Sequence, residues 1–269
     1  MSVEATFQPN DPTCTREELR ECVDAKVGGF ENLGPGPKRR ASYGYYLPAE
    51  VYECLVQKMV TPETTWLDVG GGKTVFPQNP ALAQTLADRC QHLAAVDPSD
   101  NINTNPYAHE TQQALLEDYE TDRKFDLITM RMVIEHVANP TSFMAKLHDL
   151  LKPGGTCVAL TVWKYSPVSL AAAVVPFRLH HAIKKLVWRD SKEEDTFPTT
   201  YLLNTRAAQR RYCEEAGLKL ESYQRLNDCS VTCALGRLGH LELVAERTLR
   251  SVGIVYPEHC ILSCFRRDS

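Results

Sequence analysis

Short apolar runs recur along the chain at residues 65–69, 92–96, 125–129 and 156–162, each of a length that suits a buried strand. The segments between them are polar or carry a helical period, and this rhythm predicts a parallel sheet with crossover helices on both faces, an α/β fold of the doubly wound kind. A helix over about 142–151 is stopped by Lys152-Pro153-Gly154-Gly155, where proline ends the helix and glycine allows the sharp turn into the next strand. Upstream, Thr13 or Thr15 can cap a helix through Glu17, Leu19, Cys22 and Val23, and Pro48 opens another toward Met59. Residues 28–46, with Gly34-Pro35-Gly36-Pro37 and Lys38-Arg39-Arg40, read as a loop. Downstream, Asn204 or Thr205 can cap a helix that ends at Gly217, followed by strands at 218–223 and 259–265. No internal repeat is visible.

Residues 168–200 break the rhythm. An apolar start gives way to a segment in which Leu179, Ile183, Leu186 and Val187 share a helical face, with Arg178, Lys184, Lys185 and Arg189 mostly elsewhere, and then to Glu193, Glu194 and Asp195. The expected organisation is therefore an N-terminal tail, helices and flap over residues 1–60 and a main domain over 61–269, with a lid inserted at about 166–203.

Composition narrows the function classes. The chain has 269 residues, 43% of them hydrophobic, and 30 Lys plus Arg against 34 Asp plus Glu give a net charge of -4, which argues against a basic clamp for nucleic acid. The longest apolar stretch, residues 169–175, is far short of the roughly 20 residues of a membrane span, and residues 1–12 lack a signal-peptide core, so a cytoplasmic location is expected. Ten cysteines are scattered from Cys14 to Cys264. The close spacings, Cys229 with Cys233 and Cys260 with Cys264, do not match a zinc knuckle, so the cysteines read as reduced thiols in the core and no metal is expected.

The most informative run is Leu67-Asp68-Val69-Gly70-Gly71-Gly72-Lys73-Thr74, three glycines at the carboxyl end of a buried strand, where a ligand can approach the backbone and the first amides of the next helix are expected to face the crevice. A phosphate-binding P-loop would need a glycine five positions before Gly72, which is Leu67. A dinucleotide fingerprint would need one three positions after it, which is Val75. Asp97 ends the second strand beside this turn, where a carboxylate can accept hydrogen bonds from two ribose hydroxyls; an Asx turn at Asp97-Pro98-Ser99 is the alternative.

Together with Phe125-Asp126-Leu127-Ile128-Thr129-Met130-Arg131-Met132-Val133-Ile134-Glu135-His136-Val137 and Leu150-Leu151-Lys152-Pro153-Gly154-Gly155, these residues resemble class I S-adenosylmethionine-dependent methyltransferases, most closely the ubiquinone and menaquinone biosynthesis type, over about residues 62–165. The resemblance implies a Rossmann-like, mostly parallel seven-stranded sheet with a reversed last strand, and S-adenosyl-L-methionine as cofactor. It implies that Asp68, Gly70 and Gly72, with Val69 and Gly71 between them, hold the methionine end. Asp97 and Pro98 would lie at the ribose, Glu117 and Asp118 near adenine, and Met130, Arg131 and His136 along the cofactor, with Tyr46 reaching it from the flap. Two features depart from the family: Thr74 replaces a third glycine, and Phe76-Pro77-Gln78-Asn79-Pro80 interrupts the expected helix start. Arg131 replaces a small residue; a cation beside a sulfonium is unfavourable unless it faces a carboxylate, which points to the cofactor carboxylate or an acidic substrate.

The expected reaction is methyl transfer to a small-molecule acceptor, with oxygen preferred. A hydroxyl acceptor benefits from a general base, and His180 or His181, in the inserted segment, is the candidate. Arg39, Arg40, Tyr43, Tyr45 and Tyr46 form a candidate flap, and residues 197–201 a candidate wall. The basic amphipathic segment also suits an anionic membrane surface, so a lipid-like acceptor would reconcile lid and surface. No nucleic-acid partner is expected, and the oligomeric state is left open. Two alternatives stand beside this reading: a non-catalytic cofactor-binding or protein-interaction module on the same fold, and a thiol-dependent metalloid methyltransferase suggested by the cysteines.

Overall fold

A computed structural model describes residues 13–166, 198–228, 237–254 and 258–268. His180, His181, the basic amphipathic segment, Cys229 and Cys233 lie outside the described residues. The main chain runs α1 (Arg16–Val27), α2 (Pro35–Ser42), α3 (Pro48–Met59), β1 (Thr65–Val69), α4 (Pro80–Arg89), β2 (His92–Asp97), β3 (Glu110–Gln113), β4 (Phe125–Arg131), α5 (Pro140–Leu150), β5 (Leu151–Val162), α6 (Arg206–Glu215), β6 (Leu218–Leu226), α7 (Arg237–Ser251) and β7 (Cys260–Arg267).

The seven strands form one sheet in the order β3-β2-β1-β4-β5-β7-β6. The first five in the chain pair in parallel, and β7 enters between β5 and β6 antiparallel to both. The reversed last strand is therefore present, within a Rossmann-like doubly wound sheet.

Alternation along the strands splits the core in two. Trp66, Leu93, Leu127, Val158 and Leu262 face α3 and α4, while Leu67, Ala94, Ile128, Cys157 and Phe265 face α5 and α6. Every residue of β1 is buried, as expected of a central parallel strand covered by helices on both faces. Because the period is two, Asp68 lies on the same face as Trp66, toward α3.

Three local expectations need correction. Residues 28–46 are not all loop, since Pro35–Ser42 forms α2: Gly34 is extended at the N-cap, Pro35 occupies the first turn where no amide is needed, and Lys38-Arg39-Arg40-Ala41 are good helix formers. β3, Glu-Thr-Gln-Gln, lacks any apolar signal and exists through backbone pairing to β2 at the sheet edge. Glu135-His136, which the family resemblance puts on the helix after the fourth strand, lies instead on a single 3-10 turn, Ile134–His136. At the N-terminus Thr15 is the cap of α1, with Glu18 closing a capping box.

Candidate functional site

The carboxyl ends of β1, β2 and β4 lie side by side, and the glycine turn, Asp97 and Arg131 converge there. Gly70 leaves β1 at φ 75°, a left-handed conformation that favours glycine, and its amide donates to the Val96 carbonyl at 2.8 Å. A Cβ at Gly70 would come within 2.4 Å of Val133 Cγ2, and one at Gly71 within 2.8 Å of Asp68 Oδ2. The turn is thus pressed against the loop after β4.

Asp97 forms the Asx turn and also reaches across to the glycine turn. Its Oδ2 accepts the Gly72 amide at 3.0 Å and its Oδ1 accepts the Ser99 amide at 2.8 Å, so the Asx turn and the cross-strand anchor share one carboxylate. Asn105, which carried no signal in the sequence, donates to the Gly72 carbonyl at 3.2 Å and holds the turn from its other side.

The helix after the turn does not begin where expected. α4 starts at Pro80, with the Asn79 side chain accepting the Leu82 amide, so the amides of the first helical turn are removed from the glycines. The cause is Phe76, fully buried between Tyr52 and Trp66 at ring-centroid distances of 6.2 and 6.3 Å. Burying that ring draws residues 70–79 into a long connection before the helix can start.

Asp68 is 3% exposed, and Thr129 donates to its Oδ1 at 2.6 Å while accepting the Trp66 indole N–H at 2.7 Å. Burial pushes its pKa from the ordinary 3.8 to about 7, against the opposing hydrogen bond from Thr129 and the charge of Arg131. A raised carboxyl pKa means that the folded chain binds the extra proton between these two values. Stability from this group is therefore complete below pH 4 and is lost as pH rises through about 7. Asp68→Asn keeps the acceptor for Thr129 without the charge. It should melt higher than the native chain at pH 8, by an amount on the order of a few kcal/mol, and the difference should vanish near pH 4; calorimetric melts across that range check this, and a gap that widens toward acid would refute it.

Arg131, half-buried at the end of β4, lines a narrow crevice with Ala49, Tyr52, Phe76 and Gln78. Its charge lowers the pKa of both Asp68 and Glu135, against their burial. Glu135, 5% exposed, is the residue whose importance the sequence understated. Its Oε2 accepts from Thr161 at 2.7 Å, Asn204 donates to the same hydroxyl at 2.8 Å, and the Glu135 carbonyl receives the Thr200 amide at 2.7 Å. Burial raises its pKa. His136 is half-buried, and its Nδ1 donates to the Pro198 carbonyl at 3.0 Å.

The remaining sequence candidates spread out. Val69 and Met130 are buried in the sheet and Pro98 is half-buried beside Asp97. Glu117 and Asp118 follow β3 on the 3-10 turn Leu116–Asp118, with Glu117 half-buried and Asp118 exposed. The aromatic and cationic flap divides: Arg40 is buried in an ion pair with Glu50 at 3.1 Å, Tyr43 and Tyr45 pack on Leu243 of α7, and Tyr46 packs on the core face of the sheet that carries Trp66. No group of three or more His, Cys, Asp or Glu side chains among the described residues is arranged to hold a metal ion. No helix among them is long and apolar enough to cross a membrane.

A family model described as a methyltransferase domain matches residues 39–223, more than half of the chain. A 69-residue segment is 42% identical to the ubiquinone biosynthesis O-methyltransferase of Ruegeria pomeroyi, covering 26% of this chain and 26% of that protein. A 115-residue segment is 36% identical to the enzyme of the same name from Cereibacter sphaeroides, covering 40% and 45%. The alignments thus span less than half the length of these curated relatives. Among solved structures, an S-adenosylmethionine-dependent methyltransferase from Mesorhizobium loti superposes with a TM-score of 0.50 at 15% identity, covering 80% of this chain and 98% of that one, which is a likeness of fold. With the domain match running from the flap through β5 to β6, the chain belongs to the methyltransferase domain family.

Proposed function

We propose that the chain binds S-adenosyl-L-methionine at the carboxyl ends of β1, β2 and β4 and transfers its methyl group to a hydroxyl of a small molecule. The observation that carries this reading is Asp97, a carboxylate fixed by two backbone amides beside the glycine turn at the end of β2, where a carboxylate can accept from ribose hydroxyls. The donor set suits a cationic nucleoside: Asp97 and Asp68 supply carboxylates, and Arg131 supplies a partner for a ligand carboxylate. Bound S-adenosylmethionine brings an already activated methyl. What remains for the chain is alignment and exclusion of water.

In this reading Asp68, Val69, Gly70, Gly71 and Gly72 hold the methionine end, Asp97 and Pro98 the ribose, and Glu117 with Asp118 the adenine side. Met130, Arg131, His136 and Tyr46 line the remaining edge. The preference for oxygen is supported by the O-methyltransferase relatives. His180 and His181 remain the candidate bases by their place in the inserted segment. Titration calorimetry with S-adenosylmethionine and its demethylated product tests the cofactor, and a labelled-methyl screen against phenolic and carboxylate-bearing metabolites tests the acceptor. Binding of neither cofactor form would end this reading. Label found only on nitrogen or sulfur would overturn the oxygen preference.

A further inference from the structure

The reversal of β7 puts its amino end at the same edge of the sheet as the glycine turn, Asp97 and Arg131, because an antiparallel strand begins where its parallel neighbours end. His259 stands there, immediately before Cys260. Its amide donates to the Leu226 carbonyl at 2.9 Å and its carbonyl accepts the Trp163 amide at 2.7 Å, so its backbone is held from β6 and from the end of β5. Its ring is held as well. Glu246 of α7, fully buried, accepts from Asn227 Nδ2 at 2.9 Å, which turns Asn227 Oδ1 toward His259 Nδ1 at 2.9 Å. The Asp228 amide lies farther from the same nitrogen, at 3.4 Å. The shorter contact, to an oxygen that only accepts, places the proton on Nδ1 and the lone pair on Nε2, which meets no hydrogen-bond partner among the described residues. Burying a carboxylate is costly, and here it fixes the direction of an imidazole.

We propose, resting on the methyl-transfer reading, that His259 is the general base for the acceptor and that the acceptor is a phenol. Beside His259, Trp163 and Tyr165 meet edge to face at 5.9 Å, Tyr165 is 52% exposed, and the Arg225 guanidinium, paired with Glu258 at 3.0 Å, covers the Trp163 ring at 4.8 Å. An aromatic acceptor finds a stacking partner in Tyr165. A phenol, with a pKa of about 10 in tyrosine, is a hydroxyl from which an imidazole can take the proton during reaction. Only β5 lies between β4 and β7, a span of about 10 Å that one substituted aromatic ring bridges. His259 Nε2 takes the phenolic proton as an electron pair of the oxygen forms the bond to the methyl carbon. The carbon–sulfur pair stays on sulfur, which becomes a neutral thioether, and the imidazolium returns its proton to water. Asn227 and Glu246 are positioning residues.

Two measurements on the full chain test this. Ring-nitrogen correlation NMR, with the His259 ring assigned through its own backbone signals, should show the proton on Nδ1, and Asn227→Ala should release that preference. A proton on Nε2 in the native chain overturns the assignment whether or not any acceptor turns over. The second measurement is labelled-methyl transfer from S-adenosylmethionine to catechol and to 3,4-dihydroxybenzoate. His259→Asn keeps an N–H donor for Asn227 but has no basic nitrogen; its kcat should fall at least about a hundredfold, while the calorimetric dissociation constant for S-adenosylmethionine stays within about twofold of native. Free imidazole should restore part of the loss in His259→Ala, which a purely structural residue would not allow. If His259→Asn does not fold, the native tautomer and a fall in kcat of Asn227→Ala decide. More than about a third of native kcat left in His259→Asn, or a native chain that binds the cofactor and labels neither phenol, overturns the proposal with cofactor binding intact. A native chain that binds no cofactor overturns the methyl-transfer reading itself, and the base with it.

Discussion

Replacing Asp97 by alanine is expected to weaken S-adenosylmethionine binding roughly a hundredfold or more. A hydrogen bond to an ionised acceptor contributes about 1.5–3 kcal/mol, and two ribose hydroxyls would lose theirs together. The substitution also frees the Gly72 and Ser99 amides, which now donate to the two carboxylate oxygens at 3.0 and 2.8 Å. Asp97→Asn separates these effects: its amide oxygen can still accept from one backbone N–H, whereas the charge is gone. The expected order of affinity by calorimetry is native, then Asn, then Ala, with melting temperatures of the Asn variant close to native. A dissociation constant for Asp97→Ala within about threefold of native would remove Asp97 from the cofactor site.

The largest stability effect is expected at Gly70. Alanine there meets two separable penalties: the left-handed backbone at φ 75°, about 1–2 kcal/mol for a residue with a Cβ, and the approach of that Cβ to within 2.4 Å of Val133 Cγ2. Overpacking of this kind costs a further 1–3 kcal/mol or so, giving about 2–5 kcal/mol in denaturant unfolding for Gly70→Ala. Val133→Ala in the same chain should recover the steric part and leave the backbone part. A double-mutant cycle with coupling below about 0.3 kcal/mol would show that the two loops do not press on each other as described.

The central strands were legible because each is buried on both faces and therefore reads as an unbroken apolar run. Residues 65–69 were placed without error, and β2, β4 and β5 within a few residues. β3 was not legible, because at a sheet edge its four polar residues need only backbone partners. The site divides in the same way. Asp68, the glycines and Asp97 are local signals at strand ends. The grouping of Glu135 with Thr161, Thr200 and Asn204 joins residues up to 69 positions apart through contacts that no local pattern announces. The late start of α4 was legible in the run from Phe76 to Pro80, but the pocket of Tyr52 and Trp66 that holds Phe76 was not.

The position of β7 orders the assembly of the sheet in time. β6 is made before β7 yet borders only β7, so residues 218–226 have no sheet partner until residues 260–267 have also been synthesised. During N-to-C synthesis the parallel half from β3 to β5 can close early, while β6 waits as an unpaired strand and the exposed edge of β5 stays open. A nascent chain halted between residues 227 and 259 would therefore present two bare strand edges at once. That window is the interval in which this protein most needs protection from pairing with its neighbours.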